Sequence, residues 1–512
     1  MNLKKIAKVE VLSEYTNVLK ISMIILFFLM IIDSKNIMNH IFAIINILIV
    51  GKVFKGEKEK HFYLITMLFA IMSFTISIPL GKGLDSEQID IYYIFLFIYI
   101  CKFVYDYVRF IIKNKKLFDK INIGKIILIL FITWVVISFF IADNKIIAFK
   151  KLILYGIMIS FVIMVINENK TKRDLNITLK FLSIVSIGIV IMGTLEIVTG
   201  IHIQPKTSYI MANLDFERLD FLKRVPTVFF YNPNNYGFVI SLILLGFISK
   251  IYFNKSKKNI LFDLLIILLA QINLIFTRSR TSWITVIGAL VFILVFFITT
   301  FEKKLIIKSM VSLFLIIGIF SGLSHIPQLG PYYGKMRELN IPSVEHNKVE
   351  GTNESSKVEN EDESDSIELG GTGSVNVRAT LIVDVVEGII KEKNYLGFGL
   401  GNTTEYYRKL NNTGGIVDSH NWWVEILGDF GVVGFALFLA FYAALFIKKA
   451  ILFKKDIKEN KKYYVLGILL IVSTSVLVFG PSSVYAFIPF WLVNSLAISI
   501  ISFKDNEILE RI

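Results

Sequence analysis

The stretch "SHNWWVEILGDFGVVGF", residues 419–435, sets a histidine, two tryptophans and two carboxylates at the mouth of an apolar run. A histidine such as His420 ordinarily titrates near neutral pH and can take up or release a proton. Three arginines stand in two other polar stretches: Arg224 in "RVPTVFFYNPNNYGF" (224–238), and Arg278 and Arg280 in "TRSRTSW" (277–283). Their guanidinium groups are permanently charged forks suited to oxyanions. Asp215 and Glu217 form a lone D-x-E with Arg218 beside it, which fits an ion pair at least as well as a metal. The single cysteine, Cys101, sits in an apolar run, which excludes a disulfide framework, a cysteine metal site and a cysteine nucleophile.

The elements that must position these groups are membrane spans. The chain has 512 residues, of which 54% are hydrophobic, with a mean hydropathy of +0.64. Runs such as 18–32, 125–142 and 183–200 approach or reach the length that crosses a bilayer. About fourteen segments read this way, near 18–32, 37–51, 61–80, 91–112, 125–142, 147–166, 178–200, 236–253, 259–277, 281–300, 305–323, 431–447, 463–479 and 485–502. Two could merge or re-enter, so twelve to fourteen spans are expected. The first run lacks a small-residue cleavage site and is expected to be a span rather than a signal peptide.

The formal charge of +14 is explained by its placement rather than by nucleic acid. Loops 52–60, 113–122, 168–175, 250–258 and 448–462 carry 22 Lys and Arg; loops 33–37, 81–90, 143–146 and 480–485 carry 3. The positive-inside rule then puts both termini in the cytoplasm and residues 324–420 outside. Two outer segments break that rule: 201–235, with Lys206, Arg218, Lys223 and Arg224, and the 277–283 hairpin. Charge retained on the disfavoured side is a functional expectation. The plainer alternatives are a contact with lipid phosphate or an arginine capping a helix end.

The chain therefore divides into spans over 1–323, an outer region over 324–420, and the last three spans over 421–512. Within the outer region, 345–369 holds nine acidic residues, two lysines and no aromatic, and disorder is expected there. "VRATLIVDVVEGIIKEK" (377–393) has apolar residues at helical spacing and reads as an amphipathic helix on or near the outer membrane face. "YLGFGLGNTTEYY" (395–407) reads as a glycine-rich turn. Its G-x-G-x-G follows a helix, not a strand, and lies outside, so it is not a nucleotide loop. There is no internal repeat.

On a helix over 420–434, His420, Trp423, Leu427, Gly431 and Gly434 share one stripe. The glycines would admit a neighbouring helix, the stripe would face inward, and Trp422 would point toward the headgroups. His420 would then face the protein interior at the outer membrane boundary, either as a working base or satisfied by a backbone carbonyl. Glu425, about 140° round that helix from His420, is given a structural role.

These residues resemble the O-antigen ligase (WaaL) family. Its H-[NSQ]-x9-G-x-x-[GTY] pattern is matched at His420, Asn421, Gly431 and Gly434. The 224–238 stretch is similar to the family's R-x-x-(G/T)-x-F-x-N-P-N segment, "TRSRTSW" to its S-R element with Arg280 in the key place, and "VNVRATLIVDVVEGIIKEKNYLGFGLGN" to its loop helix followed by G-x-G. The likeness covers roughly 220–450; the acidic insert departs from it.

The resemblance implies an all-α, polytopic, GT-C-like membrane glycosyltransferase with one large extracytoplasmic loop late in the chain. It would sit in the cytoplasmic membrane with its active site on the outer face. It would move a glycan from undecaprenyl pyrophosphate to an acceptor hydroxyl in cell-surface polysaccharide biosynthesis. Arg224, Arg280 and Arg278 would hold the pyrophosphate, and His420 would be the general base. Arg378, Asn421 and Trp423 are lesser substrate contacts. Tyr332, Tyr333, Tyr406 and Tyr407 would stack on sugars or belong to the interfacial belt. The implied partners are the lipid-linked glycan donor, a glycan or lipid acceptor and membrane lipids, with no metal, no cofactor and no nucleic acid. A repeat-unit polymerase would share every motif. A polysaccharide flippase would share the span count, but two similar halves and short loops are expected of it.

Overall fold

The computed structural model describes residues 37–55, 60–73, 77–79, 88–114, 123–203, 223–230, 232–326, 329–333, 369, 374–481 and 483–509. The first expected span, the acidic insert and Lys206, Asp215, Glu217 and Arg218 lie outside them. The elements run α1 (Ile37–Phe54), α2 (His61–Ile71), β1 (Ser77–Pro79), β2 (Gln88–Asp90), α3 (Ile91–Asn114), α4 (Ile123–Ile141), α5 (Lys145–Glu168) and α6 (Lys172–Thr199). They continue with α7 (Pro233–Phe253), α8 (Lys257–Phe276), α9 (Arg280–Thr299), α10 (Lys303–Ser324), α11 (Gly330–Tyr333), α12 (Ser374–Lys391), α13 (Thr403–Leu410), α14 (Trp422–Lys455), α15 (Lys461–Leu477) and α16 (Ile488–Leu509).

The protein is an all-α, multi-pass membrane protein. Eight of its helices are long and apolar enough to cross a bilayer: α3, α5 to α10 and α14. Four shorter apolar stretches lie in α1, α2, α4 and α16. One antiparallel strand pair, β1 with β2, interrupts the helices among the described residues. The expected span 61–80 therefore stops at Ile71.

Helix starts follow capping chemistry. Asn144, Thr171, Asn232, Ser256 and Asn421 each accept a bond from a first-turn amide, satisfying a donor that the helix cannot. Such caps matter in a bilayer, where no water serves an orphan amide. Most of the long helices share one large apolar core, with α7 among the most enclosed, while Phe97, Phe140, Ile146, Ile284 and Phe314 face outward, as expected of lipid-facing surface.

Three expectations about the late region are corrected. Helix α14 starts at Trp422, not at His420, because Asn421 has extended backbone and caps it. His420 is therefore off the helix, with φ +47°, and shares no helical stripe with Trp423. Trp422 does not reach the headgroups: it is 1% exposed, packed against Tyr155, Phe438, Phe490 and Trp491.

Third, Gly431 is a break within α14, at φ +63° and ψ −166°, and what approaches it is a loop, not a helix. A Cβ on Gly431 would stand 2.2 Å from the Tyr395 carbonyl oxygen, and one on Gly397 2.4 Å from the Gly431 nitrogen. The backbone groups freed by the break are taken up by that loop. The Val432 amide donates to the Tyr395 carbonyl at 2.9 Å, and the Phe398 amide to the Gly428 carbonyl at 2.7 Å. The glycine-rich turn is thus a plug for a kinked helix.

The amphipathic helix is α12. Its apolar face, Val377, Leu381, Val385 and Ile389, packs on Tyr407 and Val424, so protein rather than lipid covers it.

Candidate functional site at one end of the bundle

His420 is held in a left-handed conformation that few non-glycine residues adopt. Val228 (φ +53°) and Arg278 (φ +59°) share it. One such residue thus falls in each of the three polar stretches read as chemical. Backbone strain of this kind persists where the surroundings over-determine it.

Burial, together with the nearby positive charge of Arg378, pushes the His420 imidazole down to about 4, against an opposing pull from Asp418. At neutral pH the ring is uncharged. Its Nδ1 is buried and makes no hydrogen bond. Arg378, on the first turns of α12, donates from Nη1 to the Phe479 carbonyl at 3.4 Å.

Behind His420 lies a charged cluster that the sequence reading missed. Lys151 of α5 bonds Glu425 of α14 at 2.8 Å and lies 3.5 Å from Asp429. Asp429 also accepts from the Gly401 amide at 2.8 Å and from the Thr403 amide and hydroxyl at 3.1 and 2.6 Å. Glu425 also accepts from the Ser483 hydroxyl at 2.6 Å. Burying these charges is tolerable only because each is paired and bonded. Glu425, read as structural, holds α5, α14 and the α15–α16 connection together. A lysine inside an apolar run was the available signal for Lys151.

Arg224 follows the buried Glu196, a carboxylate at 0% exposure near the end of α6. Glu196 accepts from the amides of Ile203, Thr227 and Val228 at 2.9, 2.9 and 2.8 Å. Those bonds fix the loop that carries Arg224 and hold Val228 in its strained conformation. Arg224 itself donates from Nη1 to the carbonyls of Ile197 and Val198 at 2.9 and 3.0 Å. That nitrogen caps the end of α6, while the side chain remains exposed. Near it, His202 meets the Lys223 carbonyl at 2.8 Å. Burial alone would lower that imidazole, but its bond and charge interaction with Glu196 raise it.

Arg280 is exposed as the first residue of α9. Arg278 precedes it, half-buried. Burial lowers the Arg278 guanidinium, against an opposing pull from Tyr332 and with a lesser push from the Arg280 charge. The hairpin abuts α7, since a Cβ on Gly237 would stand 2.7 Å from the Ser282 hydroxyl and 3.0 Å from Ser279 Cβ.

The connection between α15 and α16 joins these parts. The Trp422 amide donates to the Val478 carbonyl at 3.2 Å. A methyl on Gly480 would sit 3.9 Å from Thr281 Cβ and 4.0 Å from Asn234 Cβ. His420, Arg378, the head of α7 and the head of α9 thus gather at one end of the bundle.

Several expected substrate contacts are occupied within the protein. Asn421 spends its side-chain oxygen on the Trp423 amide. The Trp423 indole donates to the Ser475 carbonyl at 2.9 Å and packs on Phe435, Phe438 and Tyr442. Tyr332 is buried on Phe276, and the Tyr407 hydroxyl bonds the Leu381 carbonyl. Tyr406 stacks on Phe398. Among the described residues no group of three His, Cys, Asp or Glu side chains is placed to hold a metal ion.

Fold and site together define a multi-pass helical membrane protein that brings Arg378 near an uncharged histidine and gathers the Arg280 helix start at the same bundle end. Residues 264–439 match the family model described as O-antigen ligase, so this stretch is similar to that family's domain. The match takes in Arg278, Arg280, Arg378 and His420 and supports a function of the O-antigen ligase or polymerase type in general. No curated protein matches the chain.

Proposed function

We propose that the protein is a GT-C-like glycosyltransferase that moves a glycan from undecaprenyl pyrophosphate to an acceptor hydroxyl on the outer face of the cytoplasmic membrane. The observation that carries this reading is the buried, unbonded Nδ1 of a neutral His420 at a bundle end rich in arginine. In the reaction, His420 takes the hydroxyl proton as the acceptor oxygen bonds the anomeric carbon. The bond from that carbon to the diphosphate breaks, and the diphosphate leaves with the electron pair. Arg280, Arg278 and Arg224 meet the charge on the leaving group, which acts best from preorganised donors. The reaction requires no metal and no cofactor in this scheme.

The lipid-linked glycan profile of a deletion strain tests the reading and separates its two forms. Accumulation of long lipid-linked chains is expected for a ligase and of single repeats for a polymerase. An unchanged profile would remove both.

The charge pattern supports cytoplasmic termini and an outward-facing site. In a Cys101→Ala background, cysteine in place of Ile416 is expected to react with an impermeant maleimide in intact cells, and cysteine in place of Glu459 is not. The opposite labelling would overturn the orientation.

A further inference from the structure

We infer that the α15–α16 connection, residues 478–481 and 483–487, is the part that sets the spacing between the acceptor side and the donor side of the site, and that Ser483 is its positioning residue. The inference rests on the transferase reading above. Two carbonyls of this connection hold the acceptor side: that of Val478 takes the amide at the start of α14, two residues after His420, and that of Phe479 takes Arg378. Gly480 lies against the heads of α7 and α9, and Arg280 is the first residue of α9. A methyl group at 480 would make ordinary contacts there, 3.9 Å from Thr281 Cβ and 4.0 Å from Asn234 Cβ.

The connection needs its own anchor, because carbonyl acceptors and a glycine do not fix a loop along its length. Ser483 supplies one. Its hydroxyl donates to Glu425 Oε2 at 2.6 Å, while Oε1 of the same carboxylate takes Lys151 at 2.8 Å. Lys151 Nζ also stands 4.5 Å from the centre of the Tyr485 ring, two residues beyond Ser483. A charge-assisted bond in a water-poor site is stronger than a neutral one. The loop is therefore pinned to a buried ion pair that belongs to α5 and α14, the frame behind His420. Catalysis by proximity is sensitive to such pins, since a misplacement of about 1 Å costs on the order of 100-fold in rate.

Ser483→Ala tests this without uncovering a charge, because Lys151 still pairs Glu425. Transfer would be followed in spheroplasts of the deletion strain, as turnover of the accumulated lipid-linked glycan per folded molecule. Affinity for undecaprenyl pyrophosphate would be measured on the purified full chain. The expected result is transfer about 10- to 100-fold slower with unchanged pyrophosphate affinity, and recovery in Ser483→Thr, which keeps the hydroxyl. Native transfer in Ser483→Ala, or pyrophosphate affinity falling in step with the rate, would overturn the positioning role. Wild-type protein that turns over no lipid-linked glycan would instead remove the transferase reading itself and this inference with it.

Discussion

Replacing His420 by alanine is expected to leave donor binding near its native value and to slow glycan transfer by about 10²–10⁴-fold, the usual contribution of a general base. The two effects separate because the groups are separate: the base stands before α14, and the donor arginines stand at the end of α6 and the start of α9. The pH dependence follows from the depressed imidazole. A base works only when uncharged, and burial with the Arg378 charge keeps His420 uncharged down to about pH 4. The wild-type rate should therefore be flat from neutral pH well into the acid range, and fall only as pH nears 4. Stability has its own window. The unfolded histidine takes a proton near pH 6.5, before the folded one does, so the His420 contribution declines as pH falls from about 6.5 toward 4. His420→Ala should lose less thermal stability than the wild type across that window. A variant that folds and transfers at the native rate would end the catalytic assignment.

How much of this was readable in the sequence depends on the range over which each feature is decided. Spans are decided locally, by the length of an apolar run, and most appear within a few residues of their expected bounds. The start of α14 is also local, and Asn421 before an apolar run was the cue. Carrying helical periodicity back through Asn421 put His420 and Trp422 on faces that do not exist. The break at Gly431 was not readable. A G-x-x-G pair suits close helix packing equally well, and the kink depends on Tyr395 and Gly397, more than thirty residues earlier. The Lys151–Glu425–Ser483 connection joins three elements far apart in the chain, and no spacing encodes it. Arg224 shows the limit of charge counting. Its position against the topology rule was visible, but a capping arginine and a ligand-binding arginine violate that rule in the same way.

Arg280 is where the donor side is most exposed to test. The helix it begins has no acidic residue in its first turn, and its cap residue Ser279 makes no side-chain capping bond. A positive residue at the positively polarised end of a helix is electrostatically unfavourable. The arrangement becomes favourable when an anion sits there, since the helix end and the guanidinium then attract the same charge. The side chain is exposed, so removing it should leave the fold intact. Arg280→Ala is accordingly expected to reduce transfer by about 10²–10³-fold, as when one preorganised donor to a developing oxyanion is removed, with an unchanged thermal midpoint. Arg280→Lys keeps the charge but loses the paired geometry of the fork, and should fall between alanine and wild type. Arg278 should differ in kind. It is half-buried in a strained conformation near Tyr332, so Arg278→Ala should shift stability more and transfer less. Weaker binding of undecaprenyl pyrophosphate should accompany the loss in Arg280→Ala, which separates this arginine from His420. If Arg280→Ala transfers normally while Arg278→Ala does not, the anion is held by the inner arginine, and the hairpin presents the opposite residue to the donor.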